Sequence, residues 1–270
     1  MAVPSPRPPP PPPDRWAAPD CLGRFPFDAA RVIADWAELH AGQSLPVPRT
    51  PALADAWALY HAGDFAGAAQ AGLHIGGTDG AALADQATAI YANYVAPDDE
   101  QRLGLLRQVG ERAWARHQAD PQDVQALYWH AYALGRHAQA VSVARALAQG
   151  LGGRLKEALE RIIELQPRHA DAHFALGAFH AEVIEKVGEL VARMTYDVRP
   201  ERAIELFEQG LALHPASATG RVEYARALVA LQGEAGLAQA QPLYESAAAI
   251  EPVDARQFLD REVALACMAD

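Results

Sequence analysis

The chain has 270 residues, half of them apolar and 21% charged, with two cysteines and a formal net charge of −11. That size and apolar content suit one large folded domain and exclude general disorder. The acidic balance, with lysine only at Lys156 and Lys186 and no basic run, argues against nucleic acid and anionic membrane surfaces as partners.

Residues 1–20 are proline-rich, and Pro8 to Pro13 are unbroken, which favours polyproline II without a core. They are expected to be a disordered tail acting as a spacer, followed by a single domain over 21–270. The N-terminus lacks an apolar stretch of signal-peptide length, and no run of about 18 apolar residues occurs. Cys21 and Cys267 lie near opposite ends without a CxxC spacing. A cytoplasmic, reduced and unexported protein is the expectation.

From Phe27 onward apolar residues recur at helical spacing, as with Val32, Ile33, Trp36 and Leu39. Breakers at 45–51, 76–80, 96–100, 119–123 and 150–153, with Pro167, Pro200, Pro215 and Pro252, cut the chain into roughly a dozen predicted helices joined by short turns.

These helices repeat. Residues twelve, eight and five positions before Pro167, Pro215 and Pro252 form the triples Leu155/Leu159/Ile162, Ala203/Phe207/Gly210 and Ala240/Tyr244/Ala247. Each triple is small or apolar, then bulky, then mostly small, which suits a helix face packed closely on a neighbour. After Pro167 stand His173, Leu176, Gly177 and His180; after Pro215 the same offsets give Arg221, Tyr224, Ala225 and Leu228. The earlier phrase "AWALYHAGDFAGAAQAGL" carries a Gly63-Asp64-Phe65 turn followed by Ala68. This arrangement resembles the tetratricopeptide repeat, a helix-turn-helix unit of 34 residues. The resemblance spans 52–268, loosely over 79–120, and implies an all-α solenoid wound as a right-handed superhelix.

Proline spacings mark two departures. Pro121 to Pro167 is 46 residues and Pro167 to Pro215 is 48, so two units exceed the repeat length by 12 and 14. The insertions fall between the two helices of each unit, at 138–153 and 183–199. Ile184, Val187, Val191 and Met194 keep helical spacing in the second. Because neighbouring repeats stack, the inserts are expected to lie side by side and cover each other's apolar stripes.

The block from "LKEALERIIELQPRHADAHFALGAFHAEVIEK" through "RAIELFEQGLALHP" is also similar to the tetratricopeptide portion of the regulator of microtubule dynamics family. Lys156, Pro167, His173, Leu176, Gly177 and the long gap that follows carry the similarity. Members of that family have a tryptophan soon after the Leu-Gly pair, where this chain has Ala178 and Phe179, and the eukaryotic ones have a membrane anchor. No residue here is assigned a microtubule role on that resemblance.

His169, Asp171, His173, His180 and Glu182 crowd one stretch and raise the question of a metal. His169 falls in the turn after Pro167, before the helix begins. His173 and His180 share a face but stand about 10.5 Å apart along a helix axis, far for one tetrahedral ion. No HExxH occurs. Packing histidines are expected, and a metal-binding protein or hydrolase using His169, Asp171, His173 and His180 is the alternative. Glycines 150, 152 and 153 before Arg154 and Lys156 lack the P-loop order, and Ser142, Ser217 and Ser246 lack a nucleophile elbow. No catalytic residue, cofactor or metal is expected.

The remaining candidate is the concave face, lined in stacked repeats by the first helix of each unit. There Tyr128, Tyr132 and Arg136 form a ladder, continued by Phe174, Ala178 and Glu182 and then by Val222 and Arg226. Aromatic residues with arginine make binding hot spots, and the alternative of equal weight is that Tyr128 and Tyr132 pack under the first insert. The tetratricopeptide resemblance also suggests the Lys/Asn clamp that holds acidic chaperone tails, but with Asn93 the sole asparagine it cannot be assembled. The expected function is a monomeric, non-catalytic scaffold that binds a protein or peptide, not nucleic acid or membrane.

Overall fold

Capping residues set where the helices begin. Thr50, Asp64, Asp98, Asp123 and Ser217 each accept a hydrogen bond from the backbone N–H three residues on, satisfying a donor that a helix start leaves free. The computed structural model describes residues 11–269, and these hold fifteen α-helices and no strand. They are α1 (Ala29–Ala34), α2 (Trp36–Leu39), α3 (Pro51–His61), α4 (Phe65–Ile75), α5 (Gly77–Tyr94), α6 (Asp99–Ala119), α7 (Val124–Ala140) and α8 (Val143–Ala148). Then follow α9 (Leu151–Leu165), α10 (Ala170–Val187), α11 (Glu189–Tyr196), α12 (Pro200–Leu213), α13 (Ala218–Gln232), α14 (Glu234–Ala248) and α15 (Ala255–Ala269).

The pairs α3/α4, α5/α6, α7/α9, α10/α12 and α13/α14 stack as an α-solenoid, and α15 covers the last pair. At the first turn Gly63 has φ +92, Asp64 caps α4 through the Gly67 N–H at 2.8 Å, and Phe65 is buried. The Leu-Gly position works as a contact point: a Cβ on Gly177 would lie 2.9 Å from the Phe207 ring. No helix among the described residues is long and apolar enough to cross a membrane.

Two glycine breakers are shorter than the sequence suggests. Only Gly76 separates α4 from α5, and Gly77, also at positive φ, opens α5; Gly80 is helical and lets α5 approach α4, since its Cβ would sit 2.6 Å from the Gly72 carbonyl oxygen. Likewise Gly150 alone turns the chain, at φ +61, and Gly152 lies in α9 beneath Tyr196.

The inserts form α8 and α11 but do not cover each other. Leu190 and Met194 are 72% and 80% exposed, and Val191 is exposed too. Helical spacing sets their common face, while Tyr196, over Gly152 and Phe179, and the fully buried Ala192 anchor α11.

Residues 1–10 of the expected tail lie outside the described residues. From Pro11 on the chain is packed rather than free: Trp16 stacks on Tyr91 with ring centroids 4.2 Å apart, and the Ala17 N–H donates to the Tyr91 hydroxyl at 3.1 Å. Cys21 is fully buried beside Gly63 and Ala255.

The solenoid also closes on itself. His61 Nδ1 at the end of α3 donates to Asp254 at 2.6 Å, and the Tyr94 hydroxyl of α5 donates to Asp260 of α15 at 2.5 Å. Phe25 packs on Phe258. Separately, the α2–α3 loop reaches the turn before α10: Asp171 N donates to the Gly42 carbonyl at 3.0 Å, and Gln166 Nε2 to the Gln43 carbonyl at 2.8 Å.

Candidate ligand cavity on the concave face

The closed solenoid encloses a cavity of about 330 Å³. Its long walls are α7, from Tyr128 to Gln139, and α10, from Asp171 to Val187. Those α10 residues span about 24 Å at 1.5 Å per residue. Leu39 at the end of α2 and His40, Gly42 and Gln43 of the α2–α3 loop line the end near the start of α10. Val143 and Leu147 of α8, Val187 and Tyr196 frame the other end. Asp254, Arg256 and Asp260 from the start of α15 complete the wall.

Six of the eight residues expected on this face line the cavity: Tyr128, Tyr132, Arg136, Phe174, Ala178 and Glu182. Their spacing of four on α7, and again on α10, keeps them on the inward stripe. Arg136 lies over the Tyr132 ring at 5.2 Å and donates to Gln139 Oε1 at 3.1 Å. Gln139 bonds in turn to Glu182 across the gap between α7 and α10, and Lys186 stands 3.6 Å from Glu182. Phe174 has a double position, because its ring fills the space left by Gly210 and Gly220 while part of it faces the cavity.

Arg226 does not join them. It is exposed, 3.0 Å from Glu223 and 3.4 Å from the Cys267 sulfur, and Val222 is buried against Ala264. The terminal helix α15 occupies that side of α13, so Thr219 and Glu223 face the cavity in their place. Sequence spacing also misses Arg256, which is bonded to Asp260 at 3.0 Å and lies over the Tyr94 ring at 5.3 Å. Only closure of the two ends brings it to the site, and no local spacing signals that.

The histidine-rich stretch is built into packing and caps. His169 caps α10 by accepting from Ala172 N at 3.2 Å, and its ring lies against Tyr128. His173 Nδ1 donates to the His169 carbonyl at 3.0 Å, His180 Nδ1 accepts from Arg199 N at 3.2 Å, and Asp171 accepts from Gln43 Nε2 at 3.2 Å. All three histidines are buried. Among the described residues no three His, Cys, Asp or Glu side chains converge as metal ligands would. Burial holds His169 down to about 4 and pushes the Tyr128 hydroxyl well up, so both stay uncharged near neutral pH. A further buried chain runs beside the cavity: His40 Nε2 lies 3.2 Å from His61 Nε2, and burial, then His61, keeps His40 far below the usual histidine range.

A family model described as Regulator of microtubule dynamics protein 1-3 matches residues 73–267. No curated protein matches the chain. Among solved structures, TTC0263, a thermophilic TPR protein of Thermus thermophilus, superposes with a TM-score of 0.56 at 16% identity, over 80% of this chain and 97% of that one. A monomeric mutant of IFIT1 solved with m7Gppp-AAAA gives a TM-score of 0.46 at 13% identity, over 88% of this chain and 63% of that one. The Thermus likeness shows the tetratricopeptide fold and nothing of a ligand.

Proposed function

The chain belongs to the regulator of microtubule dynamics protein 1-3 family, whose model its residues 73–267 match, and from that premise we propose that it is a non-catalytic scaffold that binds a protein or peptide. One observation carries this reading: the concave cavity gathers Tyr128, Tyr132, Arg136, Phe174 and Glu182 on facing helices. Aromatic rings and a guanidinium supply large contact area and directed hydrogen bonds at low entropic cost, the chemistry of an interaction site. The acidic chain favours neither nucleic acid nor an anionic membrane surface. Two free cysteines, one fully buried, suit a reducing cytoplasm.

The test is an affinity pull-down from the native cytoplasm with wild type and Tyr132→Ala, run alongside Leu190→Ala as a control outside the cavity. Tyr132→Ala should deplete a reproducible set of bound proteins that Leu190→Ala leaves in place. Identical sets from all three would defeat the reading.

A further inference from the structure

We propose that the end of the cavity beside the start of α10 takes a primary ammonium on an alkyl stem, held by Asp171 and Gln43 next to the Tyr128 ring. The lysine side chain of a bound peptide supplies that group, and a free polyamine offers the same chemistry without a peptide. In its lysine form this rests on the peptide-binding reading above and goes beyond it by naming the side chain that enters.

Charge is the first support. The cavity wall holds five carboxylates against three cations, Arg136, Lys186 and Arg256, while burial keeps His40 and His214 below the usual histidine range. Glu182 has Gln139 and Lys186, Asp260 has Arg256 and the Tyr94 hydroxyl, and Asp254 has His61. Asp171 has no such cation: Oδ2 accepts from Gln43 Nε2 at 3.2 Å, and Oδ1 has no donor among the described residues. Arg136, bonded to the neutral Gln139 amide, stands eight residues beyond Tyr128 on α7, about 12 Å away along the helix. The carboxylate at the start of α10 is therefore the one that calls for a cation.

Gln43 is the second and independent support. It lines the cavity and is only 5% exposed, and its Oε1 is buried without a partner among the described residues. The bond to Asp171 fixes the amide, because only Nε2 can face a carboxylate, and so the oxygen is the free end. A buried acceptor left bare costs stability that a ligand's N–H restores. Gly42 keeps the place open, since a Cβ there would collide with Asp171 Oδ1.

The third support selects an ammonium on a long stem. Asp171 has one free oxygen, so the two parallel bonds that a guanidinium makes to a carboxylate are not available. The three donors of an ammonium can go to separate groups, and Asp171 Oδ1, Gln43 Oε1 and the Tyr128 hydroxyl are three acceptors. Tyr128 is held at this end by its ring contact with His169, 4.6 Å between centroids, and burial first and the Asp171 charge second keep its hydroxyl protonated. An aromatic ring beside an ammonium adds cation–π attraction. Away from Asp171 the wall continues through Ala131, Phe174, Ala175 and Ala178. Methylenes can lie along that apolar surface with no polar group to satisfy, which a peptide backbone cannot do.

The experiment uses full-length protein at about 0.15 M salt, where long-range attraction to the acidic chain is screened. The probes are fluorescein-labelled, C-terminally amidated hexapeptides with one lysine among Leu, Val, Phe and Tyr residues, each paired with its Nε-acetyl-lysine twin, and spermidine as the free amine. Anisotropy should show at least one lysine peptide binding about tenfold or more tighter than its twin, with Asp171→Asn bringing the two to one level. Thermal melting of Asp171→Asn guards against misfolding, and the comparison of twins on wild type stands without any variant. Calorimetric binding of spermidine that Asp171→Asn weakens about tenfold, with no lysine peptide preferred over its twin, would uphold the ammonium site and overturn lysine as its source. Equal affinity of every pair of twins, with no spermidine binding that depends on Asp171, would overturn the ammonium inference, while a pull-down sensitive to Tyr132→Ala would still uphold the peptide reading. A pull-down indifferent to Tyr132→Ala beside Asp171-dependent spermidine binding would do the reverse.

Discussion

Gly177 and Gly153 both sit inside helices, and their neighbours decide what an added methyl does. At Gly177 a Cβ would meet the Phe207 ring at 2.9 Å and the Ala203 carbonyl at 3.2 Å; at Gly153 it would meet nothing within 4 Å. Gly177→Ala is expected to destabilise the protein by about 1–3 kcal/mol through overpacking. Gly153→Ala should stabilise it by about 0.5–1 kcal/mol by removing backbone freedom from the unfolded chain. Urea unfolding of the two variants checks the opposite signs. Gly177 can be singled out from sequence because its Leu-Gly pair recurs at a fixed offset as Tyr224-Ala225. Gly153 reads as part of a turn, because a run of glycines does not say which of them bends the chain. Phe174 teaches a related caution: its ring is wedged between Gly210 and Gly220, so its removal would test packing more than binding. Tyr132, half-buried on the cavity wall, is the cleaner probe.

Most elements are legible in the sequence because their signals are local. The Gly63-Asp64-Phe65 turn, the caps at Thr50, Asp98 and Asp123, and the prolines before α10 and α13 each act within one helical turn. What covers a helix face is not legible, since periodicity names the residues that share a face and is silent about the partner. Hence Val191 and Met194, which spacing expects to be covered, are exposed. For the same reason Val222 and Arg226, expected inside, lie against α15. The attachment of α15 depends on Asp254, which caps it through Gln257 N at 2.8 Å and accepts from His61 with its other oxygen. Asp254→Ala removes a cap worth about 1 kcal/mol and leaves a buried imidazole without its partner, for a total of about 2–4 kcal/mol. Hydrogen exchange should then show faster exchange in α15 while α10 keeps its protection; uniform change across both helices would contradict this attachment.

For the whole molecule, acid is the revealing perturbation. Burial lowers His40, His130, His169, His180 and His214, with His169 near 4. In the unfolded chain each titrates near 6.5. Below that pH the unfolded chain binds protons that the folded one refuses, so stability is full above about 6.5 and falls as the pH drops toward the folded values. Each such histidine steepens the loss by up to about 1.4 kcal/mol per pH unit. Burial also raises Asp85 to about 6, against the pull of Arg112 and Arg116, and this opposes the trend as one group against five. Urea midpoints should therefore decline from pH 7.5 to pH 5, and a flat or rising series would contradict the balance.

Contact between the first and last units changes how such an array breathes. Linear repeat proteins fray from their ends, where a terminal unit has a neighbour on one side only. In this chain the bond from His61 to Asp254 joins residues 193 apart, and each end shields the other. Local opening then has to begin where packing is thinnest, and that is at α8 and α11, with Leu147, Leu190 and Met194 standing in solvent. The loosest part of the molecule is thus the rim where Val143, Leu147 and Tyr196 line its own cavity, and the stretch that unfolds most easily frames one end of that space.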